Sequence, residues 1–137
     1  LLADVNGWFA TTSRFHAVDP SRIFDTRPAE AQGAVAVVKQ KYGGATELRV
    51  KVTAVSGVPA TGVAGVSLNV TATEPDGSGF VTVYPCGTRP GASNLNFVTG
   101  QTVPNAVIAP VSAAGEICLY ANANTHLLAD VNGWIGT

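Results

Sequence analysis

Val66-Ser67-Leu68-Asn69-Val70-Thr71-Ala72-Thr73 places an apolar side chain at every even position and a small polar one at every odd position. A period of two is the pattern of a strand with one face on a core and the other toward solvent. Upstream, residues 47–55 repeat it, with Leu48, Val50, Val52 and Ala54 opposite Glu47, Arg49, Lys51 and Thr53. Gly57-Val58-Pro59 separates the two runs. Downstream, Glu74-Pro75-Asp76-Gly77-Ser78-Gly79 is turn chemistry at every position. It leads into another strand-like run at residues 80–84, so the strands on either side of this turn are expected to form a hairpin. Past the loop Gly87-Thr88-Arg89-Pro90-Gly91, short β-like runs follow at residues 93–97, 102–104, 105–111, 116–120 and 126–134. No stretch long enough for a helix has helical spacing, and 15 glycines and 8 prolines punctuate the chain. The expected fold is all-β, an antiparallel β-sandwich of jelly-roll type.

The organisation above that level is set by a repeat. Leu1-Leu2-Ala3-Asp4-Val5-Asn6-Gly7-Trp8 returns letter for letter as Leu127-Leu128-Ala129-Asp130-Val131-Asn132-Gly133-Trp134, an offset of 126 residues in a chain of 137. Shared composition does not preserve the order of so many varied residue types. The expectation is one unit of a tandem array: residues 1–8 are the closing strand of a preceding repeat or a donor strand, residues 9–20 a connector, and residues 21–137 the β-sandwich repeat domain. With no methionine anywhere, the chain is expected to begin inside a larger precursor or after processing.

Composition narrows the function. The net charge is −1 and charged residues make up 12%. That balance, without a cluster of Lys or Arg, argues against nucleic acid and anionic membrane surfaces as partners. Apolar runs such as residues 34–38 and 106–111 are far too short to cross a bilayer, so no membrane insertion is expected. The surface must be built from small and polar residues, which suits contact with neighbouring copies of the same repeat. Cys86 and Cys118 are the only cysteines, and each sits beside a strand-like run. A disulfide between neighbouring strands, of the kind found in oxidising compartments, is the favoured reading, stabilising by roughly 3–4 kcal/mol. The alternatives are two buried thiols or half of a metal site.

Ser21-Arg22-Ile23-Phe24-Asp25-Thr26-Arg27-Pro28 is unusually charged for this chain. Asp25 and Arg27 share strand parity. Arg22 and Arg27 could form an anion clamp, but no base or nucleophile accompanies them, and a structural ion pair pinning the segment to a sheet edge is favoured. Asp130, in the middle of an apolar strand, needs a partner, and Arg27 or Arg22 is the candidate, with Asp4 as its counterpart in the first copy.

Pro20-Ser21-Arg22-Ile23-Phe24-Asp25-Thr26-Arg27 and the strand-like run at residues 66–73, with Gly79-Phe80-Val81-Thr82-Val83-Tyr84-Pro85, Ser93-Asn94-Leu95-Asn96-Phe97 and the closing Ala129-Asp130-Val131-Asn132-Gly133-Trp134, resemble a tandem β-repeat of secreted and cell-surface proteins of actinobacteria. The resemblance covers residues 15–135. It implies a repeat that opens before the Asp-Thr-Arg motif and closes with an Asp-Val-x-Gly-aromatic strand, placing residues 1–8 in the preceding unit. It also implies an extracellular or cell-surface location. Trp134 departs from the pattern, where Tyr is common. The resemblance does not imply an activity.

No enzyme is expected, and no cofactor, metal or catalytic residue. His16 and His126 are too few for a zinc site. Asp76-Gly77-Ser78-Gly79 lacks the alternating oxygen ligands of a calcium loop. Nucleophile elbows and phosphate-cradling glycine loops are missing. Asn69-Val70-Thr71 matches a glycosylation acceptor and reads as incidental. A structural or adhesive repeat that assembles into an array or filament, with strand complementation as one route, is the leading expectation. The alternative is a carbohydrate-binding module, with Tyr84, Tyr120 and Trp134 as ring platforms and Asn94, Asn96, Asn122 and Asn124 as flanking amides.

Overall fold

The computed structural model describes residues 12 and 14–137. The first octapeptide copy, and with it Asp4, lies outside the described residues. The strands are β1 (Phe15–Asp25), β2 (Glu47–Lys51), β3 (Val63–Thr73), β4 (Gly79–Pro85), β5 (Leu95–Phe97), β6 (Val103–Pro110), β7 (Glu116–Ala121) and β8 (His126–Gly136). There is no helix among the described residues, and hence none long and apolar enough to cross a membrane.

Two antiparallel sheets of four strands, ordered β1-β8-β3-β6 and β2-β7-β4-β5, pack face to face. Only β4 and β5 are consecutive strands within one sheet, and every other connection crosses between sheets. This is the jelly-roll order. The alternating runs behave as their period requires. Val66, Leu68, Val70 and Ala72 of β3 are fully buried, while Ser67 and Asn69 between them stay half-exposed. Leu48 and Val50 of β2 point inward and Glu47, Arg49 and Lys51 outward. From the facing sheet Ile117, Leu119, Val81 and Phe97 complete the core.

The expected β3–β4 hairpin does not form. β3 already has both of its edges occupied, by β8 and by β6, so no edge is left for β4. The Glu74–Gly79 turn instead carries the chain to the other sheet, with Glu74 at φ 54°. Its bonds go to neighbouring loops: Asp76 N–H donates to Asn124 O at 2.9 Å and Gly100 N–H to Pro75 O at 2.9 Å. The connector also ends earlier than expected, because Phe15 to Pro20 belong to β1. The Asp19-Pro20 signal is a real interruption, but it takes the form of a register shift between Ala17 and Ser21 on an edge strand rather than a loop, a place where proline is tolerated. Two runs read separately at residues 102–111 are one strand, β6, and the run at 47–55 leaves the sheet after Lys51.

Sheet edges are blunted in ways the sequence explains. β5 is three residues long, β2 carries three charges, and β6 begins and ends near Pro104 and Pro110. The upper part of β1 is covered by its own loop, where Ala34 N–H bonds Arg22 O at 3.0 Å and Val35 N–H bonds Ile23 O at 2.8 Å.

Cys118 of β7 is disulfide-bonded to Cys86, just beyond β4, across a separation of 32 residues, with the Cα atoms 4.9 Å apart. In the chain-entropy model a closed loop of that length contributes about 4 kcal/mol. Thiol titration of the denatured, unreduced protein should find no free thiol, and reduction should lower the unfolding free energy by roughly 3–4 kcal/mol in urea titrations. Two reactive thiols before reduction would contradict the bridge.

Candidate functional site

The second octapeptide copy forms most of β8, the strand between β1 and β3. Leu127, Ala129 and Val131 are fully buried in the core. The strand is held at four points by residues from the start of the domain. Thr26 pairs with Leu127 twice: its N–H donates to Leu127 O at 3.0 Å, and its hydroxyl accepts from Leu127 N–H at 2.8 Å. Arg22 Nε donates to Asp130 Oδ1 at 2.5 Å. The tip of the Phe15 ring lies over Gly133, so a Cβ there would have to push the ring aside. His16 stacks on Trp134, ring centroids 4.1 Å apart. Asn132 sits at a register shift, unpaired between Val131 and Gly133 in the ladder to β3. Charge, glycine and aromatic in the octapeptide therefore each meet a dedicated partner on β1.

The Asp-Thr-Arg motif is the other half of this grip. Asp25 is fully buried and bridges both arginines, accepting from Arg22 Nη1 at 2.6 Å and Arg27 Nη2 at 2.7 Å. It also accepts from Arg27 Nε at 3.1 Å and the Arg27 backbone N–H at 3.0 Å. Of the two candidate partners for Asp130, the structure selects Arg22; Arg27 turns instead to Asp25 and, at 3.7 Å, to Glu30. Both guanidinium groups are thus committed to carboxylates, which leaves the segment a structural anchor. Lys39 closes the loop beneath it, donating to the carbonyls of Asp25 at 2.8 Å and Glu30 at 2.9 Å.

Burial pushes the Asp25 carboxyl up, but the hydrogen bonds and charge of Arg27, with the charge of Arg22, outweigh it and hold its pKa below the ordinary 3.8. The same contact raises Arg27.

The three rings expected to serve as sugar platforms are otherwise engaged. Tyr84 is 2% exposed. It lies on the outer side of β4, where its hydroxyl donates to Glu47, and burial followed by that carboxylate pushes its pKa up to about 12. The Arg89 guanidinium covers the Tyr120 ring at 3.7 Å from the centroid. Trp134 has His16 on one face and packs against the core. Asn122 and Asn94 use their side-chain oxygens on the backbone N–H groups of Phe80 and Val83, at 2.6 and 2.7 Å. Asn96 stays exposed on β5, and Asn124 bonds Asp76. The two histidines lie apart: His16 is on Trp134, and His126 Nδ1 is 3.3 Å from the Thr26 hydroxyl. Thr26, Phe15 and Glu47 were not legible as site residues. Thr26 at least stands between two charged positions that were singled out, whereas nothing local marks Glu47 as the partner of Tyr84.

No family model matches the chain, and no curated protein matches it.

Substituting Asp25 by Asn removes the charge that both arginines share. At neutral pH the loss should be about 3 kcal/mol, the scale for breaking a buried pair. The folded pKa of Asp25 is depressed, so its contribution is complete above about pH 4 and is lost as pH falls through the folded value. Urea unfolding from pH 2 to 7 should therefore show a steeper acid loss in the parent protein than in Asp25→Asn. Equal acid slopes would contradict the assignment.

Proposed function

We propose that this domain is a structural, adhesive repeat of an extracellular or cell-surface protein, and that it works by standing in a tandem array or filament whose joint is the octapeptide strand. The observation that carries the reading is that the jelly roll closes with Leu127–Trp134 in β8, its core filled and its Asp130 paired, so a second identical strand is surplus to the unit. An apolar strand of that kind seeks a sheet edge in a neighbour. The disulfide favours an oxidising compartment. The low charge and small-residue surface favour packing against like units. The chain also enters β1 beside the end of β8, with Phe15 opposite Ile135. Units joined by a short connector would hang side by side from the same end, with the loops at residues 74–78 and 122–125 facing outward.

Deleting residues 1–8 tests the reading. The truncated chain should keep its melting temperature and lose concentration-dependent self-association in sedimentation. Unfolding of the truncated chain would place the first copy in its own domain's core and remove the array reading.

A further inference from the structure

Beside β4, on the outer side of its sheet, lies a recess of about 240 Å³ lined by Phe80, Arg89, Pro90, Gly91, Ala92 and Ser93. The loop that builds it is tied down along its length. Cys86 is bonded to Cys118 at the loop's start, the Thr82 hydroxyl donates to Ala92 O at 2.6 Å, and Asn94 N–H donates to Val81 O at 2.8 Å. A loop anchored in this way binds a ligand without first losing its own freedom.

Three groups in and beside the recess have bonding capacity that the fold does not use. Arg89 is exposed, and its guanidinium is held over the Tyr120 ring at 3.7 Å from the centroid. A ring contact takes none of the N–H donors of the guanidinium, and among the described residues no carboxylate pairs with it. Phe80 is half-buried, its ring tilted at 51° to that of Tyr120 with the centroids 6.1 Å apart, and gives the recess an apolar wall. Asn96 stands opposite Phe80 in the β4–β5 ladder, so the two side chains share a face. Its amide is exposed.

We propose that this recess binds a sugar residue that carries a carboxylate, a uronic or sialic acid, with the acid on Arg89, the apolar face of the pyranose on Phe80 and a ring hydroxyl on the Asn96 amide. An uncompensated guanidinium selects an anion, and its planar fork matches a carboxylate. The aromatic wall beside it favours an anion that also has a C–H face over a bare inorganic one. An amide donates and accepts at once, and so does a hydroxyl. The recess is smaller than the roughly 300–1,000 Å³ of pockets for drug-sized ligands, so it takes one ring of a glycan and leaves the rest of the glycan in solvent. The inference deepens the adhesive reading by naming what the unit adheres to, and it rests on that reading for this use alone. The recess lies on the β2-β7-β4-β5 sheet and the octapeptide strand in the other. Binding is read on single molecules and the array on self-association, so each can fail without the other.

Amide NMR titration of the isotope-labelled chain tests the proposal, with methyl glucuronoside and N-acetylneuraminate as acid probes and methyl glucoside and acetate as controls. At least one acid should shift the amides of Phe80, Arg89, Ser93 and Asn96 saturably in the millimolar range, and the stronger of the two identifies the source of the carboxylate. Glucoside and acetate should each bind about tenfold more weakly or worse. Arg89→Gln should weaken the acid by about tenfold and bring it level with the neutral sugar. A Cβ at Gly91 meets nothing within 4 Å, so Gly91→Trp should melt with the parent while its ring fills the recess and abolishes binding. No saturable shift with either acid up to about 50 mM, equal binding of glucoside or acetate, or unchanged binding in either variant would overturn the proposal.

Discussion

β8 has no free edge. Its backbone is bonded on one side to β1 and on the other to β3, so it joins the first strand of the domain to the middle of the sheet, and the core closes only when it is in place. Leu127, Ala129 and Val131 supply the inner face of that closure. Hydrogen bonds from both neighbours and apolar burial make an inner strand the costliest kind to remove. The eight-letter sequence that recurs in this chain is thus the part on which the rest of the sheet depends, and the repetition acquires a physical meaning from that position.

The charged segment at the opening of the domain serves the same strand. In a chain with so few charges, Arg22 stands between Asp130 on β8 and Asp25 at the end of β1, and Arg27 holds Asp25 from the other side. A buried carboxylate with two guanidinium partners is expensive to disturb but adds little over a well-packed apolar site. Its value lies in register. A slip of one residue along β8 would carry Asp130 away from Arg22, Gly133 from under Phe15 and Leu127 from Thr26 together, and would turn the apolar residues outward.

Much of this is legible in the sequence, and what is not has identifiable physical causes. Period-two alternation in residues 47–51 and 66–73 is a local property, and both segments are strands. The partner of Asp130 was narrowed to two arginines because charges are rare here; choosing Arg22 required the ladder between β1 and β8. The β3–β4 hairpin failed for the complementary reason. Turn residues specify that the chain bends, while the sheet it enters is decided by which edges are still open, and those of β3 are taken by strands from later in the sequence. Proline at position 20 marked a break correctly, yet a break on an edge strand is absorbed as a register shift. The aromatic side chains were named from composition alone, and their accessibility depended on Glu47, Arg89 and His16, whose proximity no local pattern encodes.

The central claim is that the sheet closes only with the octapeptide strand of β8 in place between β1 and β3. Residue-resolved amide hydrogen exchange on the monomeric protein tests it most directly, because protection at the level of global unfolding belongs to inner strands. The account predicts that residues 127–134 are protected as strongly as the core residues of β3. Exchange of residues 127–134 well ahead of β3 would contradict it.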